Sequence, residues 1–264
     1  MKKYFKLLSL FIIAPLCVSM ISGCEKKAEV TGVTEKIGII GAVDEEVASL
    51  KREVQMPTVT NMGGMEFCEG TLDGKNVVIV KCGVGKVNAG TCAQLLINVF
   101  GATSIINTGV AGSLNNDINI GDYVISTDAV QYDYDVSPLG FKRGEFYETG
   151  ESSLPADESM RKRAVEAVKT CAPEVGVFEG RICTGDQFVS TAEQKNSITG
   201  EFGGMCCEME GGAIAQICCN NNVPFVIIRA IADKADGSAN VDYTQFEHEA
   251  AERCAAVTRY MLSH

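Results

Sequence analysis

Apolar and polar positions along this chain fall into blocks that read as buried strands feeding helices. Ile37-Gly38-Ile39-Ile40-Gly41 is a short, fully apolar run closed by glycine. The acidic, helix-forming stretch Asp44–Leu50 follows it, which predicts a buried strand entering a helix N-terminus. Val77–Val80 repeats the pattern, passing through Cys82-Gly83-Val84-Gly85-Lys86 into a helix from about Val87 to Phe100. Ser104–Asn107 repeats it once more before the loop Thr108–Gly112. Further strands are predicted over Asp122–Val130, Val175–Cys183 and Val223–Ile231, and further helices over Asp157–Cys171, from Glu210 to about Asn220, and from about Tyr243 to Met261. The aromatic-rich segment Tyr132–Tyr147 carries neither period and reads as a long excursion, the kind that forms a lid or an interface loop. Buried strands alternating with helices predict an α/β fold, a single domain with a mixed sheet flanked by helices.

The first residues follow a different rule. Lys2, Lys3 and Lys6 precede an apolar run from Leu7 to Ile21, then Ser22-Gly23-Cys24, then the polar stretch Glu25–Glu35. That order is a secretion signal, and the run is too short and too interrupted by Ser9, Pro15 and Ser19 for a membrane span. The small residues before Cys24 resemble the processing site of bacterial lipoproteins. The resemblance implies a signal peptide over 1–23, a lipidated Cys24 followed by a tether to residue 35, and a folded domain over 36–264. The protein is then exported and held on the outer face of the cytoplasmic membrane by its lipid anchor alone.

With 264 residues, 46% of them hydrophobic, the chain can bury a full core. The 23 basic residues less the three lysines of the signal leave 20 against 34 acidic ones, a net charge of −14. Such a surface repels nucleic acid and anionic lipid head groups. The histidines, His248 and His264, do not form a pair at helical ligand spacing, so a zinc or iron active site is not expected. The 12 cysteines include the doublets Cys206-Cys207 and Cys218-Cys219 and otherwise sit in apolar patterns, where a thiol acts as a small hydrophobe. No disulfide framework is legible in them.

Candidate chemistry gathers at the strand ends. Cys207-Glu208-Met209-Glu210-Gly211-Gly212 places two carboxylates at the mouth of an apolar helix, where unpaired backbone N–H groups hold a carboxylate ionised and aimed outward. These acids either meet a ligand or merely complement the helix dipole. Glu46, the small residues Val110-Ala111-Gly112 and Asp233 also end strands, and ligands of α/β sheets sit at carboxyl ends. Asp233 stands at the tip of the apolar run Pro224–Ile231, where desolvation raises a carboxyl pKa and keeps a proton for donation; the competing reading is a cap or turn aspartate. Gly83-Val84-Gly85-Lys86 lacks the spacing of a nucleotide-phosphate loop, and Asp44-Glu45-Glu46 suits water better than phosphate.

Seven motifs in register carry a wider resemblance: Ile37–Val47, Cys82–Val87, Ile106–Gly112, Ser126–Asp128, Gly185–Phe188, Glu208–Glu210 and Arg229–Asp233. In order and spacing, residues 36–264 resemble the 5′-methylthioadenosine/S-adenosylhomocysteine nucleosidases of the nucleoside phosphorylase superfamily. The resemblance implies hydrolysis of an adenine nucleoside by a homodimer without metal or cofactor. It assigns Asp233 as the acid that protonates adenine N7, Glu46 as the base that positions and deprotonates water, and Glu210 as the carboxylate on a ribose hydroxyl. It counts Val110 and Glu208 among the substrate-binding residues, lays the Met209 backbone against the ribose, stacks Phe188 on adenine, and has the Val189 backbone read the purine edge. Val43, Val84 and Tyr243 form the 5′ pocket, with Val136 and Leu139 entering from a second subunit. Val110 and Ala232 depart from the family, where serines are common. A phosphorylase of the same fold, a nucleosidase for futalosine-type compounds and a non-catalytic nucleoside-binding lipoprotein remain alternatives.

Overall fold

In the computed structural model, which describes residues 34–264, the first apolar run is β1 (Lys36–Gly41), inside a mixed sheet. β1 pairs in parallel with β4 (Lys75–Lys81) on one side and β5 (Ser104–Ser113) on the other. β5 pairs in parallel with β10 (Phe225–Asp233), which runs antiparallel to β6 (Tyr123–Gln131). β6 continues in parallel to β8 (Val177–Thr184), and the short β9 (Cys206–Glu208) links β8 back to the end of β5. The strands β5, β10, β6, β8 and β9 thus close into a ring, from which β1 and β4 lead out to the hairpin of β2 (Gln55–Met62) and β3 (Met65–Leu72). The two-residue β7 (Leu154–Pro155) adds to β6.

Alternation along each strand sends side chains to two cores. Ile40, Val80 and Ile227 face α2 (Lys86–Asn98) and α5 (Gly211–Asn221). Ile39, Ile79 and Ile228 face α1 (Asp44–Glu53), α3 (Glu158–Cys171) and α6 (Ala239–Ser263). Both faces of the central strands are covered, which explains why they read as unbroken apolar runs. Among the described residues no helix is long and apolar enough to cross a membrane. The signal peptide, Cys24 and most of the tether lie outside the described residues.

The expected α/β architecture holds, with local differences. The hairpin β2–β3 was not predicted, because β2 is an exposed edge strand without an alternating apolar face. The polar helix α4 (Ala192–Phe202) and the short β9 also carry little hydrophobic signal. Residues Thr108–Gly112 are strand, not loop: β5 runs through both glycines to Ser113.

Ten described cysteines are free thiols, eight of them buried, with Cys219 half-buried and Cys171 exposed. Burial pushes the Cys183 thiol up to about 12 and Cys254 to about 11. A fragment starting at Glu25 should therefore react with a thiol reagent at Cys171 and Cys219 in native buffer, and at the remaining eight only after denaturation. Rapid native modification of all ten would contradict this packing.

Candidate active site

The carboxyl ends of β1, β5, β9 and β10, with the loops after β4 and β8, open onto one cleft of about 780 Å³ counting its mouth. Every candidate catalytic and binding residue of the 36–264 domain named for this chain's own pocket lines it.

Glu46 lies in the first turn of α1 but turns back toward β1, and it is buried. Its Oε2 accepts the N–H groups of Ala42 and Val43 at 2.5 and 3.2 Å, and its Oε1 accepts Val110 N–H at 3.0 Å. Its neighbour Asp44 points away to an exposed pair with Lys81 at 2.7 Å, so the acidic entrance gives the cleft one carboxylate, not three. Burial raises the Glu46 pKa, opposed by Arg229 and the three backbone donors. Any side chain at Gly109 would collide with this carboxylate, which is why β5 carries glycine there.

Arg229, mid-strand in β10 and 2% exposed, is the cation at the centre. Its Nη2 donates to Glu208 Oε2 at 2.5 Å and to Asn107 Oδ1 at 2.7 Å, and lies 3.9 Å from Glu210 Oε2. Glu208 closes β9 and does not aim outward. Its Oε2 also accepts Glu210 N–H at 3.0 Å and Gly211 N–H at 2.6 Å, while Thr184 Oγ1 donates to its Oε1. Glu208 is thus engaged within the protein and builds the turn that presents Glu210. Glu210 Oε1 accepts Gly85 N–H at 2.8 Å; burial and the adjacent Glu208 push its pKa upward. Three buried carboxyls share one guanidinium, which opposes the rise that burial imposes on Glu46 and Glu210.

Asp233 ends β10 opposite Gly112, where a Cβ would lie 2.6 Å from its Oδ1. That oxygen accepts Ala235 N–H at 2.7 Å, from a residue held at φ 51°. Burial pushes the Asp233 pKa up to about 6, against the lowering effect of the Ala235 donor, with Asp242 and Asp236 adding to the rise. The buried Ala232 contributes no hydroxyl.

The remaining wall is largely apolar. Val189 is buried, whereas Phe188 is 43% exposed and meets the Tyr243 ring edge-on at 5.7 Å between centroids. Val84 lies half-exposed at the mouth, between glycines at φ 86° and 98°. Met209 and Val43 complete the lining with their neighbours. Val136 and Leu139 do not line this cleft; Leu139 is exposed on a 3-10 turn of the excursion. Among the described residues no group of His, Cys, Asp and Glu could hold a metal ion.

Arg229, Thr184 and Asn107 are site-building residues that were not singled out from sequence. The available signal was a lone cation inside an apolar strand, a residue almost never buried without partners.

Residues 36–263 match the model of the phosphorylase superfamily, and the chain belongs to that superfamily. Within it, the chain is 39% identical over 228 residues to the 5′-methylthioadenosine/S-adenosylhomocysteine nucleosidase of Shewanella pealeana, covering 86% of this chain and 98% of the relative. The Neisseria meningitidis enzyme of the same description, solved with methylthio-immucillin-A, superposes with a TM-score of 0.83 at 33% identity, covering 87% of this chain and 99% of that one. Futalosine hydrolase of Helicobacter pylori superposes with a TM-score of 0.82 at 31% identity, covering 87% and 97%.

Proposed function

We propose that this protein is an N-glycosyl hydrolase that cleaves 5′-methylthioadenosine and S-adenosylhomocysteine, releasing adenine and the 5′-thio-ribose. The carrying observation is a single cleft that holds a buried acid with raised pKa, Asp233, together with a carboxylate-rich centre around Arg229. Breaking the bond develops positive charge on the sugar and negative charge on the base. Asp233 donates its proton to adenine N7, so the base leaves neutral. Glu46 orients water and takes its proton, and Glu210 binds a ribose hydroxyl. Carboxyls beside the sugar attract it more strongly once it becomes cationic, which favours the transition state over the ground state.

A phosphate nucleophile would want a cation or free backbone N–H groups after β1, where this chain places the buried carboxylate of Glu46, which itself takes the N–H groups of Ala42 and Val43. This supports water over phosphate as the nucleophile. Retention of Glu46, Glu210 and Asp233 together supports turnover over mere binding. Phe188 stacks on adenine, the Val189 backbone reads its edge, and Val43, Val84 and Tyr243 receive the 5′ substituent. Val136 and Leu139 complete the pocket of a second copy in a homodimer. Adenine release from both thionucleosides tests the reading; cleavage of futalosine alone overturns its substrate half.

Export and lipidation at Cys24 belong to the same proposal, supported by the order of charged, apolar and small residues before that cysteine. Labelled fatty acid should enter the wild type and not Cys24→Ala. Recovery of the wild type only in cytosol overturns this part.

A further inference from the structure

The loops that follow β4, β6 and β8 are tied together beside the cleft by a closed ring of hydrogen bonds. Lys86 Nζ donates to Asp133 Oδ1 at 2.6 Å, the Asp186 N–H donates to Asp133 Oδ2 at 2.8 Å, and the Lys86 N–H donates to Asp186 Oδ1 at 2.8 Å. None of these residues lines the cleft. The side chains of Lys86 and Asp133 are mostly buried, so their pair is less screened than a surface pair.

The ring exists because α2 has no cap of its own. Its N-cap is Gly85, without a side chain, and its first turn holds no acid. The donors there are satisfied from elsewhere in the chain: Gly85 N–H by Glu210 inside the cleft, and Lys86 N–H by Asp186, two residues before Phe188. A Cβ on Gly85 would come 3.1 Å from Asp186 Oδ1, at a φ of 98° that favours glycine. Two carboxylates from distant loops therefore hold consecutive N–H groups of one rigid helix end. One stands at the ribose side of the proposed site, and the other carries the base-side loop.

We infer that Asp186 is a positioning residue: through the start of α2 it fixes the loop of Phe188 and Val189 relative to Glu210, and so sets the span between the base and ribose sites. The inference rests on the nucleosidase reading for which residues meet base and sugar. Releasing the tie loosens the base platform, which weakens base binding while leaving Asp233, on β10, in place for bond cleavage.

The test uses the full chain. In Asp186→Ala, KM for methylthioadenosine and the inhibition constant of adenine should rise together by about tenfold, as loss of one charge-assisted hydrogen bond gives, with kcat within about threefold. Asp186→Asn keeps an oxygen that accepts the Lys86 N–H and should stay within about threefold of the wild type in both constants. Lys86→Met, which breaks the Asp133 leg alone, should move the same two constants in the same direction. Unchanged KM and adenine inhibition in Asp186→Ala, or a loss confined to kcat, overturns the inference. If the wild type cleaves no thionucleoside, the nucleosidase reading fails by itself. Calorimetric adenine binding then still decides the tie: tenfold weaker binding by Asp186→Ala supports it, and equal binding rejects it.

Discussion

Replacing Asp233 with asparagine should nearly abolish adenine release and also stabilise the protein at alkaline pH. The first effect follows from losing the proton donor, worth about 10²–10⁴-fold in kcat for general acid catalysis. The second follows from burial. The carboxyl titrates at about 6 in the folded protein against an ordinary value of 3.8, so the native state binds a proton more tightly than the unfolded chain. Its contribution is fully present below pH 4 and is lost as pH rises through about 6. Asparagine keeps an oxygen for the Ala235 N–H and has no charge to bury. In urea titrations, the variant should match or trail the wild type near pH 4 and exceed it by about 1–3 kcal/mol at pH 8. A stability difference independent of pH would show that the carboxyl is not held in a desolvated site. The acid-limited branch of kcat/KM should fall above about pH 6 in the wild type.

Arg229→Met should be the most destabilising substitution in the site, although its side chain does not line the cleft. It removes the one guanidinium among Glu46, Glu208 and Glu210 and leaves the buried carboxylates facing one another. Breaking a buried pair from one side costs about 3–5 kcal/mol, and the uncompensated carboxyls then take up protons. Stability loss should shrink as pH falls, because protonation removes the repulsion. Arg229→Lys keeps the charge but not the fork that reaches Asn107 and Glu208 at once, so it should fall between the two. Urea titration at pH 5 and pH 8 measures both effects, and wild-type stability of Arg229→Met at pH 8 would contradict the assigned charge balance.

What the sequence revealed depended on whether a signal was local. β1, β4 and β10 were legible because strands covered on both faces become continuous apolar runs. Asp233 and Glu46 were legible because each follows such a run. β2 was not, since an exposed edge strand has no buried face to impose a period. Glu208 was assigned to a helix mouth because the chain does not mark where the three-residue β9 ends and α5 begins. The partners of Arg229 lie 21 and 122 residues away, and the ring of Lys86, Asp133 and Asp186 closes over separations of 47, 53 and 100 residues. Contacts of that range exist only once the strands have set the loops side by side. The carboxylate centre was therefore half visible: its acids stood in recognisable motifs, while the cation that organises them looked like an anomaly in a buried strand.

The most direct test of hydrolysis at this cleft is adenine release from methylthioadenosine by the fragment starting at Glu25, under reducing conditions, with and without phosphate. Hydrolysis predicts one adenine per free methylthioribose at a rate that phosphate does not change. Phosphate-dependent release of a sugar phosphate, or tight binding of the nucleoside without release, would contradict it.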